Sequence, residues 1–220
     1  MSLTLYYHPL ASYCHKVLIA LYENGTPFEK RLIDLGKPED RAELQALWAP
    51  ARFPVLRDHG RARDVPESTI IIEYLDHHYP GHRPLIPAEW DEALEVRLWE
   101  RLFDGYVQDP MQRIVADRLH HTQADMAPQH TMLATAYGML ERQLASRTWV
   151  AGPGFSMADC AAAPALFYAS TLHPLPEDHH HLHAYFTRLM ERPSVRRVLE
   201  EARPYFQLYP FQEAIPQRFR

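Results

Sequence analysis

The apolar positions of this chain change their period several times, and each change marks an element. Leu3, Leu5 and Tyr7 alternate with Thr4 and Tyr6, which predicts a first strand over residues 3–7, closed by Pro9. From Ala11 the spacing turns helical: Val17, Leu18, Leu21 and Tyr22 share one face, and Asn24-Gly25 supplies a left-handed stop. Phe28 to Ile33 reads as a second strand. Pro38, followed by Glu39 and Asp40, opens a helix that runs to about Trp48. Pro54-Val55-Leu56 predicts a short third strand, and the turn Asp58-His59-Gly60 leads into a fourth over Arg61 to Val65. A new helix begins at Glu67-Ser68, with Ile71, Ile72 and Leu75 on its apolar face. The order is βαβ, then ββα.

Pro80, Gly81, Pro84 and Pro87 then break the pattern, so residues 81–87 read as a linker between a domain at 1–80 and another at 88–220. Beyond it the signals are helical throughout. Residues 90–119 predict a long helix with Leu94, Leu98 and Leu102 four apart and a kink at Pro110, and a second helix covers 125–145. Phe155-Ser156-Met157-Ala158-Asp159 has the form of a capping box, with Asp159 reaching back to the Ser156 amide. The CAAAPALFYAS run after it is apolar on nearly every side, as a central buried helix requires. Helices over 177–191 and 194–202 follow, and the tail from Pro204 carries Tyr205, Phe206, Tyr209, Phe211 and Phe219 as an irregular strap.

Composition narrows the function. The 220 residues are enough to bury a core or two, and the net charge of −5 argues against a nucleic-acid or anionic-membrane partner, which needs a basic surface. No apolar run has the length of a bilayer span, and Met1 to Tyr7 alternates like a strand rather than in the order of a signal peptide. The two cysteines, Cys14 and Cys160, make no disulfide framework, so the expected setting is the cytoplasm. His179, His180, His181 and His183 invite a metal reading. Neighbouring residues on a helix point in different directions, however, so a solvated helix start is expected and no metal.

Four segments carry a family resemblance: YYHPLASYCHKVLIAL with Ser12 at a helix start, RFPVL at 52–56, ESTIIIEYL at 67–75, and FSMAD at 155–159. In this order and spacing the chain resembles the glutathione transferases over nearly its whole length. The resemblance implies a thioredoxin-like α/β domain followed by an all-helical bundle domain. It also implies glutathione as co-substrate, a small electrophile as second substrate, a role in detoxification and a homodimer.

It further assigns roles to individual residues. Glu67-Ser68 opens a helix whose free N–H groups and Ser68 hydroxyl suit a carboxylate; capping alone is the plainer reading of the same pair. Arg52-Phe53-Pro54 resembles the family's cis-proline segment. The Phe53 backbone would pair with the cysteinyl part of glutathione, and Arg52 would hold its glycyl carboxylate, although the loop before Arg52 is one residue shorter than usual. Ser12 is placed to stabilise the thiolate when counted from Tyr7 and Pro9, whereas counting back from Val17 puts Ala11 at the usual serine position. An ordinary N-cap role for Ser12 stays open. Cys14 is either packing or a reactive thiolate, and Tyr6 and Tyr7 are further hydroxyl candidates. Tyr106, Gln112 and Arg113 are expected in the wall of the second-substrate pocket. Alternative functions are a zeta-like glutathione-dependent isomerase, a thiol–disulfide oxidoreductase acting through Cys14, and a non-catalytic glutathione-fold binding or stress protein.

Overall fold

The computed structural model describes residues 2–220, and the chain divides after Leu85 into two compact units. In the first, β1 (Leu3–Tyr7) is followed by α1 (Ser12–Asn24), β2 (Glu29–Leu32), α2 (Pro38–Leu47), β3 (Val55–Asp58), β4 (Arg63–Pro66) and α3 (Ser68–His78). The sheet order is β2-β1-β3-β4, with β1 parallel to β2 and antiparallel to β3, and β3 antiparallel to β4. β1 is an inner strand, which explains why its residues are buried on both faces. Its alternation sorts the layers. Tyr6 points into a cluster with Ile33, Leu44 of α2 and Val55, and α1 and α3 pack against each other. Gly25, with φ of 63°, ends α1 in the left-handed conformation that glycine adopts at no steric cost.

A buried carboxylate ties the hairpin to α3. Asp58 accepts from the Tyr74 and Tyr79 hydroxyls at 2.8 and 2.5 Å and from the Arg61 amide at 3.1 Å. Burial pushes its pKa up, but the Tyr79 and Tyr74 hydroxyls and the Arg61 and Gly60 amides overbalance that and hold it below the ordinary carboxylate value.

The second unit contains α4 (Trp90–Leu102), a π-helical segment (Phe103–Gln108), α5 (Asp109–His120), α6 (Ala127–Leu144), α7 (Met157–Leu172), α8 (His180–Glu191) and α9 (Pro193–Ala202), then three short 3₁₀ turns. The expected single helix over 90–119 is thus interrupted by the π segment, and Pro110 lies in the first turn of the helix that follows. α7 is buried on nearly every side, and the capping box is formed: Asp159 accepts from the Ser156 amide at 2.8 Å, and also from the Tyr185 hydroxyl at 2.6 Å and the Val150 amide at 3.2 Å. The tail strap is the run of 3₁₀ turns, with Phe206, Tyr209 and Ile215 buried. No described helix is long and apolar enough to cross a membrane.

Candidate functional site

The register of the sheet brings one set of loops to one edge. Tyr7 pairs with Leu32, Tyr6 with Val55, and Val55 with Pro66. The chain leaving β1 at His8, the chain leaving β2 toward Asp34, the chain entering β3 at Phe53 and the chain leaving β4 at Glu67 therefore all lie at the same end of the sheet. Helices α1 and α3 both start from that end, each with the positive end of its dipole there.

Around α1, the Ala11 amide donates to the His8 carbonyl at 3.0 Å, and the Ala11 carbonyl accepts from Cys14 and His15 at 2.8 and 3.0 Å. The N-cap is Ala11, which brings no side-chain oxygen to the first turn; Ser12 is the first helical residue and is 5% exposed. The N-cap role considered for Ser12 thus falls to its neighbour. Cys14 is fully buried, and its burial pushes the thiol up to about 12 against a hydrogen bond to the His8 backbone. His15 is buried, with Nε2 2.5 Å from the Pro9 carbonyl, so it fixes the turn from below. Lys16, also buried, donates from Nζ to Thr69 Oγ1 at 3.1 Å and joins α1 to the first turn of α3. Tyr6 belongs to the apolar cluster on the α2 side, and Tyr7 is half-buried.

On the facing side, the Phe53-Pro54 bond is cis. Phe53 lies before the first paired residue of β3, and its backbone makes no hydrogen bond among the described residues. Its ring packs on the α2-side cluster and stacks on His8, with centroids 5.9 Å apart and planes at 19°. Arg52 is exposed and has no partner among the described residues, and Ala51 before it has φ of 51°. Glu67 has φ of 68° and ψ of 119°, a backbone state worth about 1–3 kcal/mol of strain in a residue with a Cβ. Its side chain is exposed and does not cap α3. Ser68 is the first residue of α3, 6% exposed, and its hydroxyl has no partner among the described residues. A buried donor beside the first-turn amides of a helix suits an anion.

Sequence reasoning passed over His8 and Lys16, since neither stands in a helical or strand pattern that marks it as buried. The proposed pocket-wall residues Tyr106, Gln112 and Arg113 are exposed in the second unit, and Arg113 pairs with Asp109 at 2.9 Å. The histidine run opens α8, but the carboxylate of Glu141 on α6 satisfies its first amides, accepting from His181 at 3.2 Å and Leu182 at 2.8 Å. Among the described residues no three metal-ligating side chains cluster.

Residues 5–83 match the family model of the glutathione S-transferase N-terminal domain, and residues 102–193 match that of the glutathione S-transferase C-terminal domain. The stringent starvation protein A homolog of Coxiella burnetii is 29% identical over 205 residues, covering 91% of this chain and 92% of its own length. Glutathione S-transferase GstB of Escherichia coli K12 is 28% identical over 194 residues, 84% of this chain and 91% of its own. In three dimensions the chain is similar to a glutathione S-transferase of Methylobacillus flagellatus KT solved with glutathione bound. That match has a TM-score of 0.76 and 24% identity, and it covers 90% of this chain and 98% of that one.

Proposed function

Because the chain belongs to the glutathione S-transferase family, we propose that it binds glutathione at this sheet edge and joins the sulfur to a small electrophile. The buried, unpartnered hydroxyl of Ser68 beside the first amides of α3 is the observation that carries this reading. It takes the α-carboxylate of the γ-glutamyl group, while the carboxylate of Glu67 takes the ammonium. The unpaired backbone of Phe53 adds the cysteinyl residue as a short strand, and Arg52 meets the glycyl carboxylate. Ser12 and the positive end of α1 favour the thiolate, which attacks the electrophilic carbon as the thiol proton leaves to solvent. The reacting partner displaces its leaving group with the bonding pair, or takes up a proton if it undergoes addition.

The cysteine mechanism has less support, because a thiol pushed up to about 12 stays protonated at neutral pH. A non-catalytic role keeps two observations in its favour: the N-cap Ala11 offers no hydroxyl, and the Coxiella burnetii relative carries the name of a stringent starvation protein rather than a transferase. Titration calorimetry with glutathione, followed by a conjugation assay with a chloronitrobenzene, separates the two. Binding with turnover supports the transferase, binding without turnover supports the binding protein, and no binding at millimolar glutathione refutes both. A cytoplasmic homodimer is part of the proposal. Trp90, Leu94 and Leu98 stand four residues apart on α4, all more than half exposed, as a stripe that a second copy would cover. Light scattering near twice 25.7 kDa is the expected result.

A further inference from the structure

We propose that the imidazoles of His130 and His173 form a two-nitrogen site for a divalent transition metal of the zinc type, which joins the start of α6 to the end of α7. His130 lies in the first turn of α6 and His173 is the C-cap of α7, 43 positions later in the chain. Their Nδ1 atoms stand 3.3 Å apart. A zinc ion binds imidazole nitrogen at about 2.0–2.1 Å, and two such bonds at the tetrahedral angle set the nitrogens about 3.3–3.4 Å apart. The two ring nitrogens thus already have the separation of two ligands on one tetrahedral ion. Adjacent ligands of a square-planar ion stand closer, about 2.8–3.0 Å at the same bond length. Among the described residues no third histidine, cysteine or carboxylate joins the pair, so water fills the other positions, as at an open zinc site.

Neither ring makes a further hydrogen bond among the described residues. Their other contacts are between rings, His130 with His173 at 5.5 Å and Tyr137 with His173 at 5.7 Å between centroids. Burial, and then the neighbouring His130, hold His173 below the ordinary histidine pKa, so its ring is neutral at pH 7 and has a lone pair to give. Without metal, one Nδ1–H donates to the other Nδ1. On binding, that proton passes through solvent to Nε2 of its own ring, and both rings ligate as neutral imidazoles with no proton gained or lost. The backbones that carry the rings are held already. The Tyr137 hydroxyl, two turns further along α6, donates to the His173 carbonyl at 3.1 Å. The His173 amide donates to Ala169 at 2.8 Å and the His130 amide to Met126 at 3.1 Å. The ordering cost of binding is correspondingly small. The run from His179 to His183 lacks this arrangement: His183 Nε2 is taken by the Pro176 carbonyl at 3.1 Å, and among the described residues no two of its ring nitrogens come within hydrogen-bond reach.

Untagged protein titrated with zinc chloride by calorimetry should take up one ion per chain at its tightest site, and magnesium chloride should give no such site. Cobalt(II) in place of zinc should show the intense visible bands of tetrahedral coordination rather than the weak ones of an octahedral ion. His130→Gln and His173→Gln each leave an amide that can bond to the remaining ring. Each should weaken the tightest site by about tenfold or more, since even the loss of an outer partner of a metal ligand costs that much. The double variant His181→Ala, His183→Ala should leave the site unchanged. Nitrogen-15 resonances of the parent need no variant to fold, and there the Nδ1 signals of His130 and His173 should shift together as zinc is added. No one-site zinc binding by the parent at millimolar metal overturns the proposal. So does a tightest site that survives both glutamine variants, one that is lost with His181 and His183, or a parent in which the two Nδ1 signals stay put.

Discussion

Replacing Ser68 by alanine separates a helix cap from a binding group, because the two roles make opposite demands on stability and affinity. A serine that caps its helix supports the folded protein, and its loss costs about 1 kcal/mol of stability. Ser68 is instead the first helical residue, its hydroxyl has no partner among the described residues, and the N-cap is Glu67. Alanine at that position removes no bond from the unliganded protein and has the better helix propensity, so stability should hold or rise by a few tenths of a kcal/mol. Binding behaves differently. A hydrogen bond to a carboxylate contributes about 1.5–3 kcal/mol, which is about 10- to 150-fold in Kd. The first-turn amides and the dipole of α3 remain, so affinity falls without vanishing. Urea unfolding of the unliganded variant and calorimetry with glutathione give the two numbers from one preparation. An unchanged Kd, or a stability loss near 1 kcal/mol with unchanged affinity, would refute the assignment and return Ser68 to capping.

Other substitutions test other links. Glu67→Gly should relieve the backbone held at φ of 68°, raising stability by about 1 kcal/mol, while weakening glutathione binding through the lost carboxylate; the same two assays read both signs. Cys14, with its thiol near 12, has about one thiolate in 100,000 molecules at pH 7. Iodoacetamide should therefore label it only on unfolding, and Cys14→Ala should leave glutathione chemistry intact; fast labelling of the native protein would overturn this. Tyr79→Phe should cost about 1.5–3 kcal/mol at neutral pH by removing a donor to buried Asp58. Since Asp58 titrates below the ordinary carboxylate value in the folded protein, its stabilising contribution is complete above that value and is lost as pH falls through the folded one. The gap between Tyr79→Phe and the parent should narrow on that acid side, and a gap independent of pH would mean the tyrosine acts by packing alone.

What the sequence displayed, and what it hid, divides along the range of the interactions. The strand of Leu3–Tyr7, the stop at Gly25, the helix start at Ser68 and the capping box of Ser156 and Asp159 all rest on residues within a few positions of one another, and each stands where its local pattern put it. The start of α1 was ambiguous by one residue because Ala11 and Ser12 both fit between Pro9 and the apolar face, and only the bonds from Cys14 and His15 to the Ala11 carbonyl decide it. The π segment was hidden because one wider turn shifts the apolar spacing by a single position, which reads as noise beside Pro110. Lys16, His15 and Glu141 look like surface residues in sequence. Their partners, Thr69, the Pro9 carbonyl and the α8 amides, are assembled by the fold, two of them across dozens of residues.

The two helix starts at the sheet edge can do different work, and this makes the transferase and binding readings separable. In the proposed binding mode α3 with Ser68 and Glu67 would address the charged γ-glutamyl end of glutathione and so govern affinity. On the same reading α1 with Ser12 would address the sulfur and so govern ionisation. The groups on α1 touch a part of the ligand that contributes little binding while it is a neutral thiol. Ser12→Ala should therefore leave calorimetric affinity at low pH unchanged and raise the bound thiol's pKa, with conjugation slowed on the order of 10²-fold. Ser68→Ala should show the converse, and with no shared partner the two effects should add within about 0.5 kcal/mol in the double variant. A binding protein built on this fold would respond to Ser68→Ala alone. Equal losses of affinity and ionisation from both single variants would mean that the two helix starts act as one site, and the division of labour between them would fall.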